Sequence, residues 1–262
     1  AGDFNGHSCA TRQDGSLWCW GCNYYGQIGD LSTSMRDVPT PVASAQTWRK
    51  VAVGQYHTCA LAEDGSIWCW GRNDYAQIGS GSLSPSYVTS GVQVVGYQGF
   101  IDVSAGVHHT CAIKTDQSLW CWGRNNYGQL GDGTSWTHRT EPTVVVGDAR
   151  WTAVATSGSF TCGIRVDKTL WCWGWFPPGN YTNQPMLVGG SDTWSTVAVN
   201  HQWYDWNNNY TPSSALCAIR SDGTLWCKGY NSHGQMGNGN TTYASNFVQV
   251  GTASHWKSVL FG

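Results

Sequence analysis

The chain has 262 residues, with 14 Lys and Arg set against 16 Asp and Glu, and only 11% of its side chains are charged. A near-neutral chain with no basic run excludes recognition driven by nucleic-acid phosphates. No apolar stretch approaches the ~18 residues of a transmembrane helix, so no membrane insertion is expected.

The chain begins AGDFNGHSCA, with no charged-then-apolar leader. In an exported protein this start corresponds to the mature form after cleavage. Next comes Cys9 to Cys19, two cysteines flanking an Asp-Gly turn signal, followed by Trp-Gly. The Cys-x9-Cys unit returns at Cys59–Cys69, Cys111–Cys121, Cys162–Cys172 and Cys217–Cys227, in steps of 50, 52, 51 and 55 residues, followed by Trp-Gly in four copies and by Lys-Gly in the fifth. Apolar positions alternate within each unit, and Gly or Asn-Gly punctuates the chain every ten or so residues, which reads as many short strands and no helices.

A second element precedes four of the units: WRKVAVG from Trp48, FIDVSAG from Phe100, WTAVATS from Trp151 and WSTVAVN from Trp194. The first unit lacks it, and the chain ends instead in WKSVLFG, Trp256 to Gly262. Repeats of about 50 residues that read as strands indicate a propeller. The expected fold is therefore all-β: a single five-bladed β-propeller over residues 1–262, with four-stranded antiparallel blades and one blade closed by the N- and C-terminal strands.

Within each unit the cysteine spacing sets the register. If Cys59 lies opposite Cys69, then Ala62 faces Ser66, and Glu63-Asp64-Gly65 is a three-residue loop with glycine at its left-handed position. Gly15 and Gly223 hold that place in the first and fifth units, whereas Gln117 and Lys168 hold it in the third and fourth at some strain cost. Counting outward, the cysteines form a non-hydrogen-bonded pair with Cα atoms about 4.5 Å apart, at the short end of the disulfide range. Zinc and redox sites favour closer spacings. Five hairpin disulfides imply an oxidising compartment, secreted, periplasmic or cell-surface, and the expected location is extracellular. The eleventh cysteine, Cys22, aligns with Arg72 and Arg124. It is either a buried inert thiol or, if that position is exposed, the point of a disulfide-linked or self-associated oligomer.

Thirteen of the 17 tryptophans repeat by position and are expected to pack blades. Trp136, Trp175, Trp203 and Trp206 do not. Trp203 and Trp206 fall in the insertion HQWYDWNNNYTPSS with Tyr204, Asn208 and Tyr210, and Trp175 lies where the fourth unit abandons its pattern for WFPPGNY. Flat rings and amides in long loops suit either a carbohydrate platform or loop packing. The candidate ligand-binding set is thus Trp136, Trp175, Trp203, Tyr204, Trp206, Asn208 and Tyr210. Asn180, Asn209 and Asn240 stand in Asn-x-Thr sequons, and glycans attached there would cover the same loops.

VSAGVHHTCAI (Val103 to Ile113) and WGRNNYGQLGDG (Trp122 to Gly133) resemble the repeats of the regulator of chromosome condensation family, and the resemblance covers essentially the whole chain. It implies a β-propeller of four-stranded blades with a terminal closure. Familiar members have seven blades, are mostly intracellular and lack a disulfide in each blade, so their nuclear exchange-factor activity is not carried over. His7, His57 and His109 repeat and are expected to bond structurally. Asn23, Asn73, Asn125 and Asn231, with Asp14, Asp64, Asp116, Asp167 and Asp222, read as turn residues. The chain carries no serine-nucleophile elbow, zincin motif or phosphate loop. The expectation is a non-enzymatic, secreted, lectin-like recognition protein without a cofactor, whose partner is a glycan or, alternatively, an extracellular protein.

Overall fold

In the computed structural model, which describes residues 6–96, 98–200 and 214–261, every regular element is a strand. Blade 1 contains β1 (His7–Thr11), β2 (Leu17–Gly21) and β3 (Arg36–Pro41). Blade 2 contains β4 (Trp48–Val53), β5 (His57–Ala62), β6 (Ile67–Arg72) and β7 (Tyr87–Gln93). Blade 3 follows with β8 (Phe100–Ala105), β9 (His109–Lys114), β10 (Leu119–Gly123) and β11 (Arg139–Val144). Blade 4 has β12 (Trp151–Thr156), β13 (Phe160–Arg165), β14 (Leu170–Phe176) and β15 (Asn180–Leu187). Blade 5 has β16 (Trp194–Val199), β17 (Ala215–Arg220), β18 (Leu225–Gly229) and β19 (Ala244–Gln249). Blades 2 to 5 are four-stranded antiparallel meanders and blade 1 has three strands.

The hairpin register is the one the cysteine spacing sets. Cys59 pairs with Cys69 and Leu61 with Ile67, and the Ala62 N–H donates to the Ser66 carbonyl at 2.9 Å. All five disulfides form within their hairpins, with Cα atoms 4.1 Å apart. Gly65 takes a φ of +79°, and Gln117 and Lys168 are held at +69° and +67° in the same turn, a conformation costly to residues bearing a Cβ. The turn aspartates cap it: Asp64 Oδ1 accepts from the Ser66 N–H at 2.9 Å and its hydroxyl at 2.6 Å, and that hydroxyl accepts from Trp68 Nε1 at 3.0 Å. These bonds hold the Asp64 carboxyl below its ordinary value, as they do in the other four turns.

Blades 1 to 4 are joined by a repeated bracket. The Gln77 carbonyl of blade 2 accepts from Thr110 Oγ1 at 2.9 Å and from Trp122 Nε1 at 3.0 Å, both of blade 3. Gln27 does the same for Thr58 and Trp70, at 2.7 and 2.9 Å. His57 Nε2 lies 2.9 Å from Thr110 Oγ1, and His109 Nε2 lies 2.9 Å from Thr161 Oγ1. Because each threonine hydroxyl donates to a glutamine carbonyl, the imidazole Nε2 is the donor to that hydroxyl. The repeated histidines are therefore structural.

The expected closure by the two ends is not formed among the described residues. The tail starts as the other innermost strands do: the Trp256 N–H donates to the Gly223 carbonyl at 3.0 Å, as Trp48 donates to Gly15 at 2.9 Å. Ser258–Phe261 line the central channel with β4, β8, β12 and β16. No ladder joins the tail to β1, however, and residues 252–261 carry no strand assignment. Trp256 stays 44% exposed where Trp48 is 4% exposed.

Candidate functional site

The sequence-predicted residues divide three ways. Trp203, Tyr204, Trp206, Asn208 and Tyr210 lie outside the described residues. Trp136 and Trp175 come together, although 39 positions separate them. Cys22 is buried and takes part in none of the five disulfides, which is the first of the two alternatives for this position and not the exposed one that its alignment with Arg72 and Arg124 suggested. Its N–H donates to the Gly6 carbonyl at 3.0 Å, and its short side chain does not extend outward as an arginine does. An intermolecular disulfide through Cys22 therefore has no access in the folded chain.

Trp136 and Trp175 line an open pocket of about 560 Å³ at the boundary of blades 3 and 4, with Asn126, Tyr127 and Tyr181. The β10–β11 loop supplies Asn126, Tyr127 and Trp136. Blade 4 supplies Trp175 from the end of β14 and Tyr181 from the start of β15. The pocket exists because blade 4 lacks the long loop of blades 1 to 3. Its β14 and β15 are joined directly through Pro177-Pro178-Gly179, so Trp175 and Tyr181 stand opposite one another as a cross-strand pair.

Trp136 is 72% exposed and is held at a φ of +64°. A large apolar side chain kept in water on a left-handed backbone is a costly arrangement that the surrounding structure must impose. The Trp136 N–H donates to the Asn125 carbonyl at 2.7 Å, and Asn125 is itself fixed by bonds from its side chain to Thr134 and to the Leu130 N–H. Tyr127 and Trp175 meet with centroids 5.7 Å apart, inclined by 35°. The Tyr181 hydroxyl donates to Ser135 Oγ at 2.6 Å, which fixes the far wall. Asn126 lines the pocket, but its Oδ1 is shielded from solvent and has no hydrogen-bond partner among the described residues.

The pocket terminates a ladder of rings and guanidinium groups running back to blade 1. Arg124 lies over Tyr127 and Tyr75, at 5.9 and 4.9 Å. Tyr75 packs on His108 at 4.7 Å, His108 stacks on Tyr56 at 5.6 Å, and Arg72 lies over Tyr56 and Tyr25 at 5.1 and 5.0 Å. Burial, then Arg124 and Arg72, drive the His108 imidazole well below its usual range. Burial and Arg124 lower His138. With both imidazoles neutral, the guanidinium groups carry the positive charge of this surface.

Asn126, Tyr127 and Tyr181 do not stand out in the sequence. Asn126 and Tyr127 sit inside WGRNNYGQ, where repetition reads as structure, and Tyr181 sits inside a sequon. Among the described residues, no group of three or more His, Cys, Asp or Glu is arranged to hold a metal ion, and no helix is long and apolar enough to cross a membrane.

The superposed structures include human WBSCR16, at a TM-score of 0.79 and 19% identity, covering 94% of this chain and 65% of that one. Yeast RCC1 (Prp20), solved with Kap60, superposes at 0.77 and 17% identity over 95% of this chain and 60% of that one. These likenesses bear on fold. In sequence, the chain is 29% identical over 189 residues to the ultraviolet-B receptor UVR8 of Arabidopsis thaliana, covering 71% of this chain and 42% of the receptor. It is 30% identical over 262 residues to the human probable E3 ubiquitin-protein ligase HERC4, covering 92% of this chain and 23% of that protein. The chain thus spans less than half the length of either relative. The family model for the regulator of chromosome condensation (RCC1) repeat matches residues 14–61, 64–113 and 116–164, and a second model of the repeat matches 48–77, 100–129 and 213–235. With its hairpins, brackets and repeated asparagine turns in the matching places, the chain belongs to the regulator of chromosome condensation repeat family.

Proposed function

We propose that this chain is an extracellular, non-enzymatic recognition module that binds a glycan in the pocket of Trp136 and Trp175. The observation that carries the reading is the strained, solvent-held Trp136 facing a second aromatic wall. The apolar faces of a pyranose stack on flat rings such as those of Trp136 and Trp175. A disulfide in every blade supports the extracellular setting. The repeated aspartates are committed to their turns and are not free for acid–base work, which supports a binding rather than a catalytic role.

A protein partner is the second reading, and the Arg72–Tyr56–His108–Tyr75–Arg124 ladder favours it, since aromatic and arginine side chains dominate protein interfaces. A protein of the same fold, Prp20p from Saccharomyces cerevisiae, has binding properties towards Gsp1p and histones.

A glycan array followed by titration separates the two readings. Binding that weakens at least about tenfold in Trp136→Ala, the loss of about 1.4 kcal/mol, is the expected result. An array with no hits, or an affinity unchanged in both Trp136→Ala and Trp175→Ala, would contradict the glycan reading.

A further inference from the structure

The bracket that joins blades 1 to 4 is dismantled between blades 4 and 5. The histidine position holds Phe160, the threonine position holds Leu216, and the loop that offers a glutamine carbonyl is replaced in blade 4 by the Pro177-Pro178-Gly179 turn. Phe160, Phe176 and Leu216 fill the junction as one apolar cluster. The bracket tryptophan is also missing, and Lys228 stands in its place, paired with Leu216 as Trp122 is paired with Thr110.

Packing does not account for this lysine. Lys228 is 6% exposed, and its ammonium has no hydrogen-bond or ion-pair partner among the described residues. Its nearest characterised contact is the Phe247 ring, at 5.3 Å. Loss of solvation lowers the pKa of the amine. A cation among phenylalanine and leucine side chains, in a place where four sister positions carry tryptophan, costs stability unless a counter-charge arrives.

We infer that Lys228 is an oxyanion-binding group, which takes a carboxylate or sulfate of a ligand entering the junction of blades 4 and 5. The three N–H bonds of the ammonium have no acceptor among the described residues, and an oxyanion supplies several. This site is separate from the aromatic pocket and does not depend on the glycan reading.

The test is competitive acylation of the folded, unreduced protein with acetic anhydride, each lysine being quantified by mass spectrometry. The reaction is run in sodium chloride, in sodium sulfate and in sodium acetate at equal ionic strength. Lys228 is expected to be acylated about threefold more slowly in sulfate or acetate, as a pKa rise of roughly half a unit gives, while exposed Lys168 and Lys257 are unchanged. The extra thermal stabilisation by sulfate over chloride should be smaller in Lys228→Met, a variant whose apolar side chain suits the cluster. Equal rates in all three salts would overturn the inference, as would a Lys228 that reacts only after unfolding. So would protection seen in Asp205→Asn but not in the native chain, because the counter-charge would then be internal.

Discussion

Replacing Trp122 with alanine should cost about 4 kcal/mol of unfolding free energy. Trp122 is fully buried, within a cluster that spans blades 2 and 3 and includes Ile78, Val94 and Phe100. Its indole fills the space beside Gly79 so closely that a Cβ built there would lie 2.7 Å from Nε1. Alanine would leave a cavity at the blade boundary and remove one of the two donors to the Gln77 carbonyl. Phenylalanine would keep much of the volume and lose the hydrogen bond, so Trp122→Phe should cost less than Trp122→Ala, with about 1 kcal/mol of its loss due to that bond. Trp20 holds the same place in blade 1 but is only half-buried, since no blade precedes it. Trp20→Ala should therefore cost distinctly less. Urea unfolding of the disulfide-intact variants measures all three. Equal losses at Trp20 and Trp122 would mean that blade 1 is covered as blade 3 is, and so that the ring closes.

Complete reduction should unfold the protein near room temperature. Each bridge closes a loop of 11 residues, worth about 2.5–3 kcal/mol in the chain-entropy model. Five such contributions, about 12–15 kcal/mol if fully additive, are comparable to the about 5–15 kcal/mol that holds a typical domain together. The sulfurs of the second to fourth hairpins are fully buried, whereas Cys9 is partly exposed. The Cys9–Cys19 bridge is thus expected to open first in a time course with dithiothreitol, and loss of near-ultraviolet tryptophan dichroism should follow the later bridges. A dichroism spectrum unchanged after all five bridges are reduced would show that the staples are not needed.

Much of this fold is legible in the sequence because the information is local. Cys-x9-Cys around a turn aspartate determines a hairpin, its register and the strained turns where Gln117 and Lys168 replace the glycine. The rotation of one blade against the next is not local. The tail carries the sequence of an innermost strand and begins as one, yet blade rotation decides whether it meets β1, and repeat counting does not contain that rotation. Cys22 illustrates a related limit: alignment with half-exposed arginines gives the backbone position, not how far a shorter side chain reaches. Trp136 and Trp175 stand out individually by their departure from the repeat. That they share a pocket follows from the shortened β14–β15 connection meeting the loop of the preceding blade, and no single repeat reveals it. Lys228 is hidden inside the fifth unit, where Lys-Gly in place of Trp-Gly reads as one more variation until the missing bracket around it is seen.

Sulfur bonds closed within each hairpin support the extracellular reading and hold the scaffold of both candidate sites. Iodoacetamide treatment of the unreduced protein, followed by peptide mass spectrometry, tests them directly. No thiol should react in the native state, and after urea alone a single thiol, Cys22, should react, with the other cysteines recovered as the Cys9–Cys19, Cys59–Cys69, Cys111–Cys121, Cys162–Cys172 and Cys217–Cys227 pairs. Several alkylated cysteines in the unreduced chain, or bridges linking different blades, would contradict it.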